Sequence, residues 1–118
     1  IASCLVGSEM CIRDRFKKGA LELLVLSIIN QEDQYGYSLI QIITNKIIIS
    51  EGTIYPLLRR LVKENYLESY YKPSKEGPSR KYYSITVKGN KRLHELIKEW
   101  EYFTEAINSF MKENDIHE

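Results

Sequence analysis

At 118 residues, 43% of them hydrophobic and 28% charged, the chain is long enough for one modest core and too short for two. No apolar run approaches the roughly 20 residues of a membrane-crossing helix, so no membrane span is expected, and the composition is ordinarily globular. The formal net charge of +1 is unevenly placed: residues 59–92 hold ten Lys/Arg against three Asp/Glu, and residues 93–118 hold two against seven. A basic middle beside an acidic tail is the footprint of a protein that meets a polyanion, or else a solvated, salt-bridged surface.

Residues 1–15, IASCLVGSEMCIRDR, share neither composition nor periodicity with the rest of the chain and lack the basic start and apolar centre of a signal peptide. EMCIRDR is also what one reading frame of a transposon end used in sequencing-library preparation would encode. The segment is therefore expected to be a gene-assembly artefact, disordered or a stray helical extension before Phe16. Both cysteines, Cys4 and Cys11, fall inside it, which leaves neither a disulfide nor a thiolate metal site to argue.

From Lys17 to about Gln31 the pattern is helical. Leu21, Leu24, Val25 and Ile28 make one apolar stripe, with Leu23 and Leu26 off it. A helix apolar on two sides in a small domain serves its own core and a partner. QEDQYG reads as a polar turn, and YSLIQIITN as a second short helix ending near Asn45. Lys46 to Ile49 is too short and too β-branched for a helix, and is expected to be a small strand or tight connection that buries its isoleucines.

Ser50 is a good N-cap for a third helix, with Glu51 complementing the dipole in its first turn. Ile54, Leu57, Leu58 and Leu61 form its buried stripe. Gly52, Thr53, Tyr55, Arg59, Arg60 and Lys63 occupy other faces, and Pro56 forfeits one backbone hydrogen bond and predicts a slight distortion. Two β-type runs follow, Tyr66 to Lys72 and Arg80 to Val87, separated by the loop PSKEGPS. Alternation puts Lys81, Tyr83 and Ile85 on one face and Arg80, Tyr82 and Ser84 on the other. Thr86 caps a last helix running to about Asn114. Within it Leu93, Leu96, Trp100, Phe103, Ile107 and Phe110 step by threes and fours as an a/d seam. So long a seam reads as a homodimer interface, with intramolecular packing as the alternative.

The order helix, helix, helix, hairpin, long helix is a mainly α (α+β) architecture. It predicts a winged helix-turn-helix domain over residues 16–87, with a two-stranded wing, and a C-terminal dimerisation helix over residues 88–118. A helix in the major groove and a hairpin gripping the phosphate backbone are how such a domain holds double-stranded DNA. Ser50, Glu51, Thr53 and Tyr55 lie at the end of the third helix that enters the groove, and Gly52 lets its backbone approach closely. Arg59 and Arg60 reach phosphates or form an ordinary solvated face. Lys75, Arg80 and Lys81 are the hairpin's phosphate or minor-groove contacts. No enzyme, cofactor or metal is expected: His94 sits in a Lys/Glu-rich helix, adjacent Glu95 points to another face, and His117 lies in the tail. There is no Gly-rich phosphate loop and no nucleophile elbow.

From about Lys18 to Met111 the chain resembles the PadR family of bacterial transcriptional regulators, in the short form with a single C-terminal helix. The matching pieces are KGALELLVLSII, YGYSL, SEGTIYPLLRRLVKENYLES, GPSRKYYSIT and KEW. The connection from YGYSL to SEGTIY looks shorter than in many members, which leaves the length of the second helix open. The resemblance implies a homodimeric repressor acting at an operator with an inverted repeat. It also points to Tyr35 and Tyr37 as phosphate contacts, although Tyr37 reads equally as core, and Tyr83 more so. Members that respond to planar aromatic compounds carry a tryptophan at the place of Trp100, in a flat pore between subunits. Trp100 with Phe103, Ile107 and Leu23 would build that site here, or Trp100 simply fills the dimer core. A ligand wedged there would change the spacing of the two recognition helices. The rival reading is a dimeric winged-helix interaction module without specific DNA binding.

Overall fold

Burial along the first helix decides how it lies. The computed structural model describes residues 19–114, so the expectations for residues 1–15 and for His117 fall outside the described residues. Helix α1, described over residues 19–31, turns Leu21, Val25, Leu26 and Ile29 into the core. Leu24 and Ile28, expected on the stripe, pack only at its margin, and Leu26, expected off it, is fully enclosed. The leucine-rich sequence offers two overlapping faces. The inward one is the face that also carries Glu22, which two arginines meet from other helices.

The polar turn expected at QEDQYG contains a two-residue strand, β1 (Gln34–Tyr35), which pairs antiparallel with the hairpin at Gln34↔Tyr83 and Tyr35↔Tyr82. Two residues are too few to show alternation, so only the tertiary partner reveals them. Helix α2 (Gly36–Thr44) buries Leu39, Ile40 and Ile43. The connection behind it does not bury its isoleucines. Lys46 and Ile47 both donate backbone N–H bonds to the Ile43 carbonyl, at 3.1 and 2.9 Å. That tight wrap leaves Ile48 fully exposed and Ile47 partly so, and only Ile49 packs on the core.

Helix α3 (Glu51–Lys63) buries Ile54, Leu57, Leu58 and Leu61, as expected. It ends in a Schellman motif: the Tyr66 N–H bonds the Leu61 carbonyl at 2.9 Å, and the Asn65 N–H bonds that of Val62 at 3.0 Å. Asn65 takes the left-handed conformation (φ 67°) that closes it, a role asparagine tolerates better than most side chains.

Strands β2 (Leu67–Ser74) and β3 (Gly77–Ile85) form the wing, and the sheet order is β1-β3-β2, all antiparallel. The expected seven-residue loop is mostly strand, and only Lys75 and Glu76 form the turn. Its prolines do not end the strands because of where they fall. Between the pairs Lys72↔Arg80 and Ser74↔Gly77 the register shifts, so Pro73 faces Pro78 and Ser79 where the ladder is already interrupted.

Helix α4 (Val87–Glu113) is stitched to the end of α3. Thr86 Oγ1 accepts the Gly89 N–H at 2.9 Å and donates to the Asn65 carbonyl at 2.6 Å, while Lys88 Nζ donates to the Glu64 carbonyl at 2.9 Å. A Cβ at residue 89 would collide with the Tyr66 carbonyl, so this junction requires glycine. Leu93 and Leu96, expected in the dimer seam, lie instead in the chain's own core. Beyond them exposure rises along the seam, to 68% at Phe110.

Candidate nucleic-acid interface

The start of α3 presents a polar, uncommitted end. Ser50 stands at the N-cap in an extended conformation and makes no side-chain cap bond to the helix. Its hydroxyl lies 3.2 Å from that of Thr53, and both are exposed beside Glu51 and Gly52. Among the described residues, a Cβ at Gly52 would meet nothing closer than Ser50 Oγ at 3.8 Å. Packing therefore does not demand glycine there, although glycine costs a helix about 1 kcal/mol relative to alanine. Pro56, inside the helix, withholds the N–H that would have bonded the Gly52 carbonyl.

Half a turn further on, α3 meets the wing. The Tyr55 and Tyr83 rings both border Gly36, with Tyr83 buried and Tyr55 open to solvent. Burial pushes the Tyr83 phenol up, neighbouring Tyr55 and Tyr71 add to this, and the Arg59 charge opposes it. Lys81 Nζ sits 5.8 Å from the centre of the same ring. Tyr55 and Arg59 of the helix are thus brought together with Tyr71 and Lys81 of the wing around one buried tyrosine.

The other face of the wing carries an aromatic ladder that sequence reasoning missed. Tyr37, Tyr35, Tyr82 and Tyr70 follow one another with ring centres 6.2, 5.8 and 5.8 Å apart, crossing all three strands from the start of α2. Two cations lie over it: Arg80 5.0 Å from the Tyr35 ring and Lys72 4.9 Å from the Tyr82 ring. At its far end the Tyr70 hydroxyl donates to Asp33 at 2.5 Å, a bond that pushes the phenol up to about 12. The tyrosines themselves were visible in the sequence, but the β1 register that aligns Tyr35 with Tyr82 was not legible. Tyr37 is 52% exposed, which removes its core reading, and Tyr83 is core. Lys75 lies exposed at the wing tip, and Arg80 is exposed above the ladder.

Arg60 stands apart from the other sequence-derived site residues. Its guanidinium is held by Glu64 at 2.7 Å and by Glu22 at 3.3 Å, both within the chain. Glu22 also takes Arg92 Nε of α4 at 3.1 Å. Burial alone would lower the Arg92 guanidinium, but the hydrogen bond and charge of Glu22 raise it instead. His94 spends Nδ1 on the Asn90 carbonyl at 2.8 Å, an ordinary intrahelical contact. Among the described residues no helix is long and apolar enough to cross a membrane.

The sequence profile described as the Transcriptional regulator PadR-like family matches residues 25–95. The chain belongs to that family. Its members are transcription regulators and not enzymes, which bears out the non-enzymatic reading. A PadR-like regulator from Bacillus cereus, known as a crystal structure, is 41% identical, with a TM-score of 0.74 over 82% of this chain and 96% of that one. An uncharacterised protein of Lysinibacillus sphaericus is 38% identical over 105 residues, 86% of this chain and 96% of its own length. Bacillus subtilis PadR, solved in complex with operator DNA, shares the fold at a TM-score of 0.60 and 19% identity, over 66% of this chain and 45% of that one. The PadR resemblance and the winged-helix α+β class are both borne out.

Proposed function

We propose that this PadR-like regulator is a homodimeric repressor that binds an operator with an inverted repeat. The observation that carries this reading is the exposed, polar N-terminal end of α3 lying beside a cationic wing. Ser50, Glu51, Thr53 and Tyr55 would read base edges, with Gly52 admitting the backbone. Arg59, Lys75, Arg80 and Lys81, with the Tyr35 and Tyr37 hydroxyls, would take phosphates. The operator complex of Bacillus subtilis PadR supports the choice of partner. The second half of the α4 seam, in which Trp100, Phe103, Ile107 and Phe110 are each partly exposed, would pack against its two-fold mate.

An effector would enter at the root of that seam. A cavity of about 400 Å³ lies between α1 and α4, bordered by Ala20, Leu23, Leu96, Trp100 and Phe103. Its size and aromatic wall suit a planar aromatic molecule. Occupancy would change the separation of the two recognition helices from the about 34–36 Å that one duplex turn demands.

Purified protein should retain genomic fragments that share an inverted repeat with half-sites about one turn apart. Retention without sequence preference, or none, would favour a dimeric interaction module instead. Changing Arg80 and Lys81 together to Ala should weaken binding to all DNA and flatten its salt dependence by about 0.9 log-log unit per lost phosphate contact. An unchanged slope would take the wing off the phosphates.

A further inference from the structure

A glutamate on a helix that contributes no residue to the proposed DNA surface is the best-enclosed charge among the described residues. Glu22 of α1 is 6% exposed, and its two oxygens are taken by arginines from two other helices. Oε2 receives Arg60 Nη2 of α3 at 3.3 Å, and Oε1 receives Arg92 Nε of α4 at 3.1 Å. Each arginine is anchored again on its own helix, Arg60 by Glu64 at 2.7 Å and Arg92 by Glu95 at 3.6 Å. A lone carboxylate is not left in such a place, and one that bridges two guanidinium groups constrains both in direction as well as distance.

We propose that Glu22 is a positioning residue that locks the recognition helix to the helix carrying the dimer seam, with Arg60 and Arg92 as its two arms. The inference rests on the DNA-binding reading and goes beyond it, because it takes Arg60 out of the phosphate contacts and makes it a strut. Apolar packing alone leaves a helix some freedom to rotate and slide, whereas a charged fork at one point removes it. The leverage is large. Arg60 lies nine residues from Glu51, about 13 Å along the axis, so a tilt of about 5° there moves the reading end by roughly 1 Å. A hydrogen bond to a base edge tolerates only a few tenths of an ångström. In a dimer the same tilt is applied twice, in opposite senses, so the clamp would set the half-site separation that the protein selects.

The test uses the full chain as Glu22→Gln, with Arg60→Met as the second variant, which keeps the packing stem and removes only the α3 arm. Without DNA, amide exchange in Glu51–Lys63 should quicken by about tenfold, the equivalent of one charge-assisted hydrogen bond, while Leu39–Ile43 of α2 holds its rate. Equal quickening in both helices, or none, would overturn the clamp. With DNA, a series of inverted repeats differing in half-site separation should show a sharp optimum for the unaltered protein. Either variant should bind that optimum about tenfold more weakly with a flattened spacing profile and an unchanged salt slope. A salt slope reduced by Arg60→Met would make Arg60 a phosphate contact and overturn its role as strut. Selective loosening of α3 with an unaltered spacing profile would likewise overturn the role of Glu22 in operator reading. If the unaltered protein selects no operator, the DNA-binding reading fails, and the exchange measurement still decides the clamp.

Discussion

The two halves of α4 are written in one repeat and meet opposite fates. Leu93 and Leu96 disappear into the core beside α1, whereas Trp100 stays 38% exposed and Phe110 68%. Nothing in the spacing distinguishes them. The difference lies in what else is within reach: the chain's own core takes up the first three turns, and the described part of the chain offers the later turns much less cover. A heptad seam therefore specifies a surface to be buried and not the partner that buries it.

Substitutions on either side of that divide should behave differently. The largest effect is expected inside it. Leu58→Ala empties a site with no solvent exposure and should cost about 2–5 kcal/mol, read as a lowered denaturation midpoint at any protein concentration. Ile107→Asp, on the second half, should leave the protomer's secondary structure intact and weaken self-association by about 2 kcal/mol or more, seen as monomers by sedimentation. A dimer that survives it would place the interface elsewhere.

Two smaller changes sharpen the contrast between residues kept for the fold and residues kept for a partner. Gly52→Ala should stabilise the protein by up to about 1 kcal/mol in a thermal melt, because nothing among the described residues crowds that position, yet weaken operator binding. A gain in both would remove the close-approach reading. The smallest effect is on titration. The Asp33 bond holds the proton on Tyr70, whose value rises from 10.0 to about 12. Its contribution is complete below pH 10 and is lost as pH climbs through about 12. Asp33→Asn should return one phenol to the ordinary range in an absorbance titration, and an unaltered curve would contradict the bond.

Much of this was legible from local pattern. Thr86 as a cap, the α3 stripe and the inward Tyr83 each follow from a period or a capping preference that neighbouring residues enforce. What escaped was set by distant partners. Glu22 lies in a leucine-rich run as a lone charge, and its arginines stand 38 and 70 residues away. The β1 strand exists only through its pairing with β3, and the wing's length depends on two prolines falling opposite one register shift. The connection from Lys46 to Ile49 runs against the preference of isoleucine for burial, because a backbone wrap at Ile43 turns Ile48 outward.

The stitch between the end of α3 and the start of α4 has a consequence for how such a regulator can diversify. Thr86, Lys88 and Gly89 fasten α4 directly onto Glu64, Asn65 and Tyr66, so the chain leaves for the wing and returns to nearly the same point. The wing is a side branch off the path that joins α3, the proposed reading helix, to α4, the proposed assembly helix. Its tip at Lys75 and Glu76 is free to lengthen, shorten or change charge without disturbing the α3–α4 junction. With α3 reading DNA and α4 pairing subunits as proposed, target preference and subunit arrangement would be left to vary under separate selection.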